Sequence, residues 1–165
     1  PPMLEQLQRH QLEYHLQDGF YQSNDANAVG FHIEDAVYGP LYWGYGGPGE
    51  PGDRGVYSRH CEDVILEAEP ETVLVLLTAS PQVIARRMKE NPHPSSPLQE
   101  EDIELVLRRF EEEYAKSRIR NRFTLDTSTA TVEETCAEFV NKVEPFLAEV
   151  DRMRMELHRT SQGAG

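Results

Sequence analysis

Apolar positions in this chain follow two patterns. Thr72 to Thr78 (TVLVLLT) is an apolar run without polar alternation, which predicts a strand buried on both faces, as in a parallel sheet. A helix is expected at once after it, with Ser80 at the N-cap and Pro81 at the first helical position, where a missing N–H costs nothing. Val83, Ile84 and Met88 supply its apolar face, and Arg86, Arg87 and Lys89 crowd its last turn. Phe123 to Asp126 (FTLD) predicts a second buried strand, and Ala28 to Ile33 (AVGFHI) a short one ending in the acidic pair Glu34-Asp35.

The remaining apolar residues recur at helical spacing. Residues 3–17 are helix formers with Leu12 and Leu16 one turn apart, closed by Gly19 and followed by a turn at Ser23-Asn24-Asp25. Cys61, Val64, Ile65 and Ala68 form a stripe that Pro70 ends, with Cys61 read as core rather than nucleophile. Residues 100–117 place Ile103, Val106, Leu107, Phe110 and Tyr114 on one face. Thr131 to Glu134 forms a capping box that opens a last helix, with Phe139, Val140, Val143 and Leu147 inward. Beyond Asp151 the chain is polar, and residues 160–165 are expected to be a disordered tail.

Composition narrows the classes. The length of 165 residues fits one α/β domain or the larger part of one. No 18-residue apolar run and no leader-like start is present, and Cys61 and Cys136 are too few for a disulfide framework or a zinc site, so the default is intracellular and reduced. The net charge of −13 argues against nucleic-acid polymers and anionic membranes. Yet Arg86, Arg87, Lys89, Arg108, Arg109, Lys116, Arg118, Arg120 and Arg122 fall in one segment. That segment suits a small anionic ligand, or else a salt-bridged helix surface, since Glu100, Glu101, Glu104 and Glu111 to Glu113 share it.

Two loops draw chemical readings. Tyr38, Tyr42, Trp43 and Tyr45 lie within eight positions, bracketed by Gly and Pro. Beside Glu34 and Asp35 they can stack a flat base or sugar, or equally form a small core under an irregular loop. Gly44 to Gly55 (GYGGPGEPGDRG) invites a phosphate-loop reading that its residues reject. Asp53-Arg54 stands where Lys-Ser/Thr belongs, no apolar strand precedes it, and Pro48 and Pro51 lack N–H groups.

Strand–TASP–helix–RR, the loop NPHPSSP at 91–97, the amphipathic helix, and FTLDTS with its capped helix together resemble the C-terminal half of P-loop nucleoside and nucleotide kinases, in particular the thymidylate kinase and deoxynucleoside kinase group. The resemblance covers residues 71–149. It implies an α/β fold, a three-layer parallel sheet with flanking helices of P-loop NTPase type, incomplete at the N-terminus because the first strand, the Walker A loop and its lysine are absent. Residues 1–150 would form a single domain with a lid at about 86–118, and 151–165 a polar tail. The Pro1-Pro2 opening fits a piece of a longer protein or, alternatively, a degenerate relative.

The resemblance also implies roles. Glu34, Asp53, Arg86 and Arg87 would be catalytic, with either Glu34 or Asp53 as the base and the two arginines as lid cations. His32, Asp35, Tyr38, Tyr42, Trp43 and Arg54 would bind substrate. Arg109, Thr127 and Ser128 would face the nucleotide, and no metal-ligating residue is expected. The function implied is transfer of a phosphoryl group from ATP to a small hydroxyl or phosphate acceptor, with ATP and Mg²⁺ as cofactors of the intact parent and none in this chain. Because phosphoryl transfer depends on the missing loop and lysine, this chain alone is expected to be inactive. The alternatives are a non-catalytic nucleotide- or metabolite-binding relative and a protein–protein module using acidic helices. The expected partner is a small phosphorylated or nucleoside-like ligand, with no nucleic-acid polymer and no membrane, in the cytoplasm.

Overall fold

The computed structural model describes residues 2–16 and 27–162. Its elements in chain order are α1 (Pro2–His15), α2 (Phe31–Tyr38), α3 (Arg54–Ala68), β1 (Leu74–Thr78), α4 (Pro81–Glu90), α5 (Ile103–Lys116), β2 (Arg122–Asp126), α6 (Val132–Val143) and α7 (Glu149–Gln162). A π-helical turn, Gly39–Trp43, extends α2, and 3-10 turns at Glu100–Asp102 and Glu144–Phe146 precede α5 and follow α6. The chain divides into two compact units, one from Pro1–Pro70 and Ser80–Arg118, the other from Glu71–Ala79 and Ile119–Gly165.

The first unit is all helix among its described residues. Helix α2 packs on α3 and α5, and α4 packs on α5. Leu12, Ile33, Val37, Tyr45, Cys61, Ile65, Ile103 and Val106 are its buried apolar residues. Of the stripe expected on α3, Cys61 and Ile65 are buried and Ala68 is exposed; of the face expected on α5, Ile103 and Val106 are buried.

The second unit holds the strands. β1 and β2 pair in parallel, with Leu74 opposite Arg122 through to Thr78 opposite Asp126. Ile119 and Leu125 are buried. Phe123 on β2 meets Phe139 of α6 at 6.0 Å and stacks on Phe146 at 6.3 Å. The capping box forms as read: Thr131 Oγ1 accepts from the Glu134 N–H at 3.2 Å, and Glu134 Oε2 accepts from the Thr131 N–H at 2.8 Å.

The three-layer α/β fold of P-loop NTPase type is not what forms. Helices make up most of the described residues, and the sheet has two strands. Two local reasons account for this. The apolar run at 72–78 does become a strand, but it has one neighbour, and Leu77 is left 63% exposed. The strand expected at 28–33 does not form: Gly30 takes a left-handed φ of 77° and the chain turns into α2, where Ile33 and Val37 are buried one turn apart. The tail also differs, since α7 continues through Thr160 and Ser161. Gly19 and the turn at Ser23 to Asp25 lie outside the described residues. No helix among the described residues is long and apolar enough to cross a membrane.

Candidate functional site

In the first unit Arg54, 1% exposed, is held by two carboxylates and two rings. Its Nε donates to Asp35 Oδ2 at 2.5 Å, and Nη2 lies against the same oxygen. Nη1 reaches Glu5 Oε1 of α1 at 3.3 Å. The guanidinium stands 4.5 Å from the Tyr57 ring centroid and 5.9 Å from that of Tyr45. Tyr45 in turn donates its hydroxyl to Asp35 Oδ1 at 2.8 Å, so both oxygens of Asp35 are engaged. Burial, followed by the bond to Asp35, pushes the Tyr45 hydroxyl well above its ordinary range, and burial first takes Tyr57 up to about 12. Only glycine fits at Gly46, where φ is 70° and a Cβ would stand 2.2 Å from Arg54 Cγ.

A second network centres on Glu62, a wholly buried residue of α3. Oε1 accepts from Ser117 Oγ at 2.7 Å and lies 3.3 Å from His32 Nε2; Oε2 accepts from the Arg118 N–H at 2.8 Å and lies 3.4 Å from Arg59 Nε. Arg59 also donates to the Glu113 carbonyl at 3.1 Å and to Ser58 Oγ at 2.7 Å. Burial raises the Glu62 pKa, but these donors outweigh it and hold the carboxyl below its ordinary value. His32 is thus turned inward, with Nδ1 buried and unpartnered.

The opposite situation holds for Glu34. It is exposed on α2, one turn before Tyr38, and its carboxylate folds back over Gly30, where a Cβ would stand 1.8 Å from Glu34 Oε2. Partial burial, then the Asp35 charge, raises its pKa. Tyr38 packs edge-on against Phe110 at 5.6 Å and meets Tyr42 at 5.7 Å. Tyr42 donates to Asp102 Oδ2 at 3.0 Å, and burial first, then this bond, lifts its pKa to about 12. Trp43 ends the π-helical turn 48% exposed. Glu34, Tyr38 and Tyr42 therefore follow one another at one-turn spacing from α2 into the turn, which the exposed Trp43 ends.

Glu34→Gln is expected to leave the fold intact and to raise the melting temperature slightly at pH 7. A carboxyl whose pKa is raised by folding favours the folded state below its unfolded pKa and loses that contribution as pH rises through the folded value. The difference between variant and parent should vanish near pH 4 in thermal melts.

The other sequence-derived residues stand elsewhere. Asp53 caps α3: Oδ1 accepts from the N–H groups of Gly55 and Val56 at 2.9 and 3.2 Å, and Oδ2 from Gly49 at 2.7 Å. Burial raises its pKa, yet these bonds bring it below the ordinary value. Arg86 pairs with Glu90 at 3.8 Å and Arg109 with Glu112 at 3.1 Å, both on exposed helix faces; Arg87 is exposed beside Arg86. Thr127 and Ser128 belong to the second unit, in the loop at the C-terminal ends of both strands. Thr127 donates N–H and hydroxyl to the Thr78 carbonyl, and Ser128 donates to Asp126 Oδ1.

ATP and Mg²⁺, which the resemblance implies for the intact parent, find no phosphate cradle in the glycine loop. In the glycine loop Gly47 donates to Glu50 Oε2 at 3.1 Å and Gly49 to Asp53, so two of the chain's own carboxylates take the N–H groups a phosphate would need. No group of three or more His, Cys, Asp or Glu placed to hold a metal ion occurs among the described residues. An open depression of about 260 Å³ between α4 and the start of α5 is lined by Pro81, Gln82, Ala85, Glu100, Glu101, Ile103 and Glu104, and its carboxylates oppose an anion.

Sequence reading passed over Glu5, Tyr57, Arg59, Glu62 and Ser117. The one available signal was the pair Arg59 and Glu62 at i, i+3 on α3, with Glu62 directly after Cys61 of the apolar stripe. Comparison with protein families, curated proteins and solved structures finds no match to this chain.

Proposed function

We propose that this chain forms the acceptor-binding part of a cytoplasmic, nucleoside- or nucleotide-kinase-like phosphotransferase. In this reading Tyr38, Tyr42 and Trp43 stack the planar part of a small nucleoside-like ligand, and Glu34 accepts a hydrogen bond and then the proton from its hydroxyl. One observation carries it. Of the three carboxylates read from the sequence as site candidates, Glu34, Asp35 and Asp53, Asp35 is consumed by Arg54 and Tyr45, and Asp53 by the α3 cap. Glu34 is the exposed one of the three, with a pKa raised by partial burial and the Asp35 charge, which suits a general base. ATP and Mg²⁺ would belong to the intact parent, and no step here is assigned to them.

A second reading, a binding protein without turnover, is favoured by the glycine loop, whose N–H groups meet Glu50 and Asp53. Trp43 is the chain's single tryptophan and reports ligand directly. Nucleosides, nucleoside monophosphates and ATP should be titrated with and without Mg²⁺, against this chain and against an N-terminally extended protein. The kinase-like reading expects Trp43 fluorescence to change with nucleoside in both, and Mg²⁺-dependent transfer in the extended protein alone. Binding without transfer in either selects the second reading. Equal, negligible binding by both removes the two together.

A further inference from the structure

The entry to α2 is strained. Gly30 has φ 77° and ψ −70°, and the Phe31 N–H donates to the Val29 carbonyl at 3.0 Å, so residues 29–31 make a γ-turn of the rare, strained form. Phe31 follows with φ 41°, the one non-glycine residue of positive φ among the described residues. A bulky L side chain is disfavoured there, because its Cβ crowds the following carbonyl. Such backbone persists only where its surroundings impose it. Here α2 does so from one side: His32, Ile33 and Val37 are buried, and His32 Nε2 lies 3.3 Å from Glu62 Oε1. On the other side Asn27, Ala28 and Val29 are exposed, Val29 at 90%. The strain thus sits at the joint between a fixed helix and an exposed lead, and moving the lead alone relieves it.

That lead rests on Glu34. The Glu34 N–H donates to the Gly30 carbonyl at 3.0 Å, and the Glu34 carboxylate lies so close over Gly30 that a Cβ there would stand 1.8 Å from Oε2. Every residue involved belongs to the helical unit. We propose that residues 27–30 are a hinged cover over the Glu34 carboxylate, turning at Gly30 and Phe31 and closed in this structure. Phe31 is its positioning residue: return of its φ to negative values lifts the cover and frees the carboxylate. The use of the cover, admitting a hydroxyl-bearing ligand to Glu34, rests on the acceptor-site reading; its geometry does not.

The test is amide hydrogen exchange on the whole chain, joined to carboxyl titration, in the parent and two variants. The Phe31 amide should be less protected than that of buried Val37 on the same helix. Phe31→Gly takes a positive φ freely and should raise protection of the residue-31 amide about tenfold, with Val37 unchanged. Gly30→Ala cannot keep the closed turn. It should lower that protection and bring the Glu34 carboxyl down towards its ordinary value, while Glu62 titrates as in the parent and so reports an intact fold. Two results would overturn the proposal. One is a residue-31 amide as protected as Val37 and unmoved by either variant. The other is a Val37 amide that shifts with residue 31 in both variants, which would place the opening in α2 itself. Neither readout uses a nucleoside, so failure of nucleoside binding removes the acceptor reading and leaves the cover standing.

Discussion

Arg54→Met should destabilise the helical unit by about 3–5 kcal/mol, the usual result of removing one partner from a buried ion pair. The loss is large because Asp35, Glu5 and the two tyrosine rings are arranged around the guanidinium, and the truncation leaves the Asp35 carboxylate facing Tyr45 alone. Against a typical domain stability of about 5–15 kcal/mol, the unit should be largely unfolded on modest warming. Far-ultraviolet circular dichroism with urea denaturation measures this directly. Pairing Arg54→Met with Asp35→Leu should recover part of the loss, since no uncompensated charge then remains buried. A single variant as stable as the parent would mean that Arg54 is not the fixed point of the α2–α3 interface.

Glu62→Gln is the second large effect. Glu62 joins α2 through His32, α3 through Arg59, and the segment after α5 through Ser117 and the Arg118 N–H. Gln retains one acceptor oxygen but presents an NH₂ group to a donor, so a loss of about 3 kcal/mol is expected. The pH dependence follows from the lowered pKa. A carboxyl depressed by folding contributes stability above its unfolded pKa, and that contribution is lost as pH falls through the folded value. The gap between parent and variant should therefore be full at pH 7 and shrink steadily in acid. A gap independent of pH would show that the charge on Glu62 is not what holds the three segments.

Much of the local structure is legible from residue type. The capping box at Thr131 and Glu134, the Pro81 start of α4, and the buried faces of α3 and α5 follow from spacing and backbone chemistry alone. Residues 28–33 are not, because a run of five apolar or small residues with one histidine is equally compatible with a strand. The deciding term is tertiary: Ile33 and Val37 reach the core together only from a helix, and the left-handed Gly30 permits the turn. The sheet misleads for a different reason. An unalternating strand announces two covered faces and two neighbours, and pattern cannot say that only one neighbour lies among residues 27–162.

The candidate site was half legible. Glu34, Tyr38 and Tyr42 are brought into succession along α2 and the turn that follows it. Asp35, Arg54 and His32 come from the same short segments, yet helical periodicity turns them inward, where they become supports rather than contacts. Adjacent acidic residues on a helix point about 100° apart, so Glu34 and Asp35 could not share one task. Long-range partners such as Glu5 for Arg54 and Ser117 for Glu62 leave no trace in local spacing.

An outward carboxylate and buried, locked ones thus divide the labour in the helical unit. Carbon-13 detected titration of the side-chain carboxyls tests it in a single sample, repeated with a nucleoside present. Glu34 should titrate above the reference value of 4.5 and Glu62 below it, and nucleoside should move the Glu34 curve while leaving Glu62 in place. Glu34 at or below the reference value, or a nucleoside response at Glu62 and none at Glu34, would contradict it.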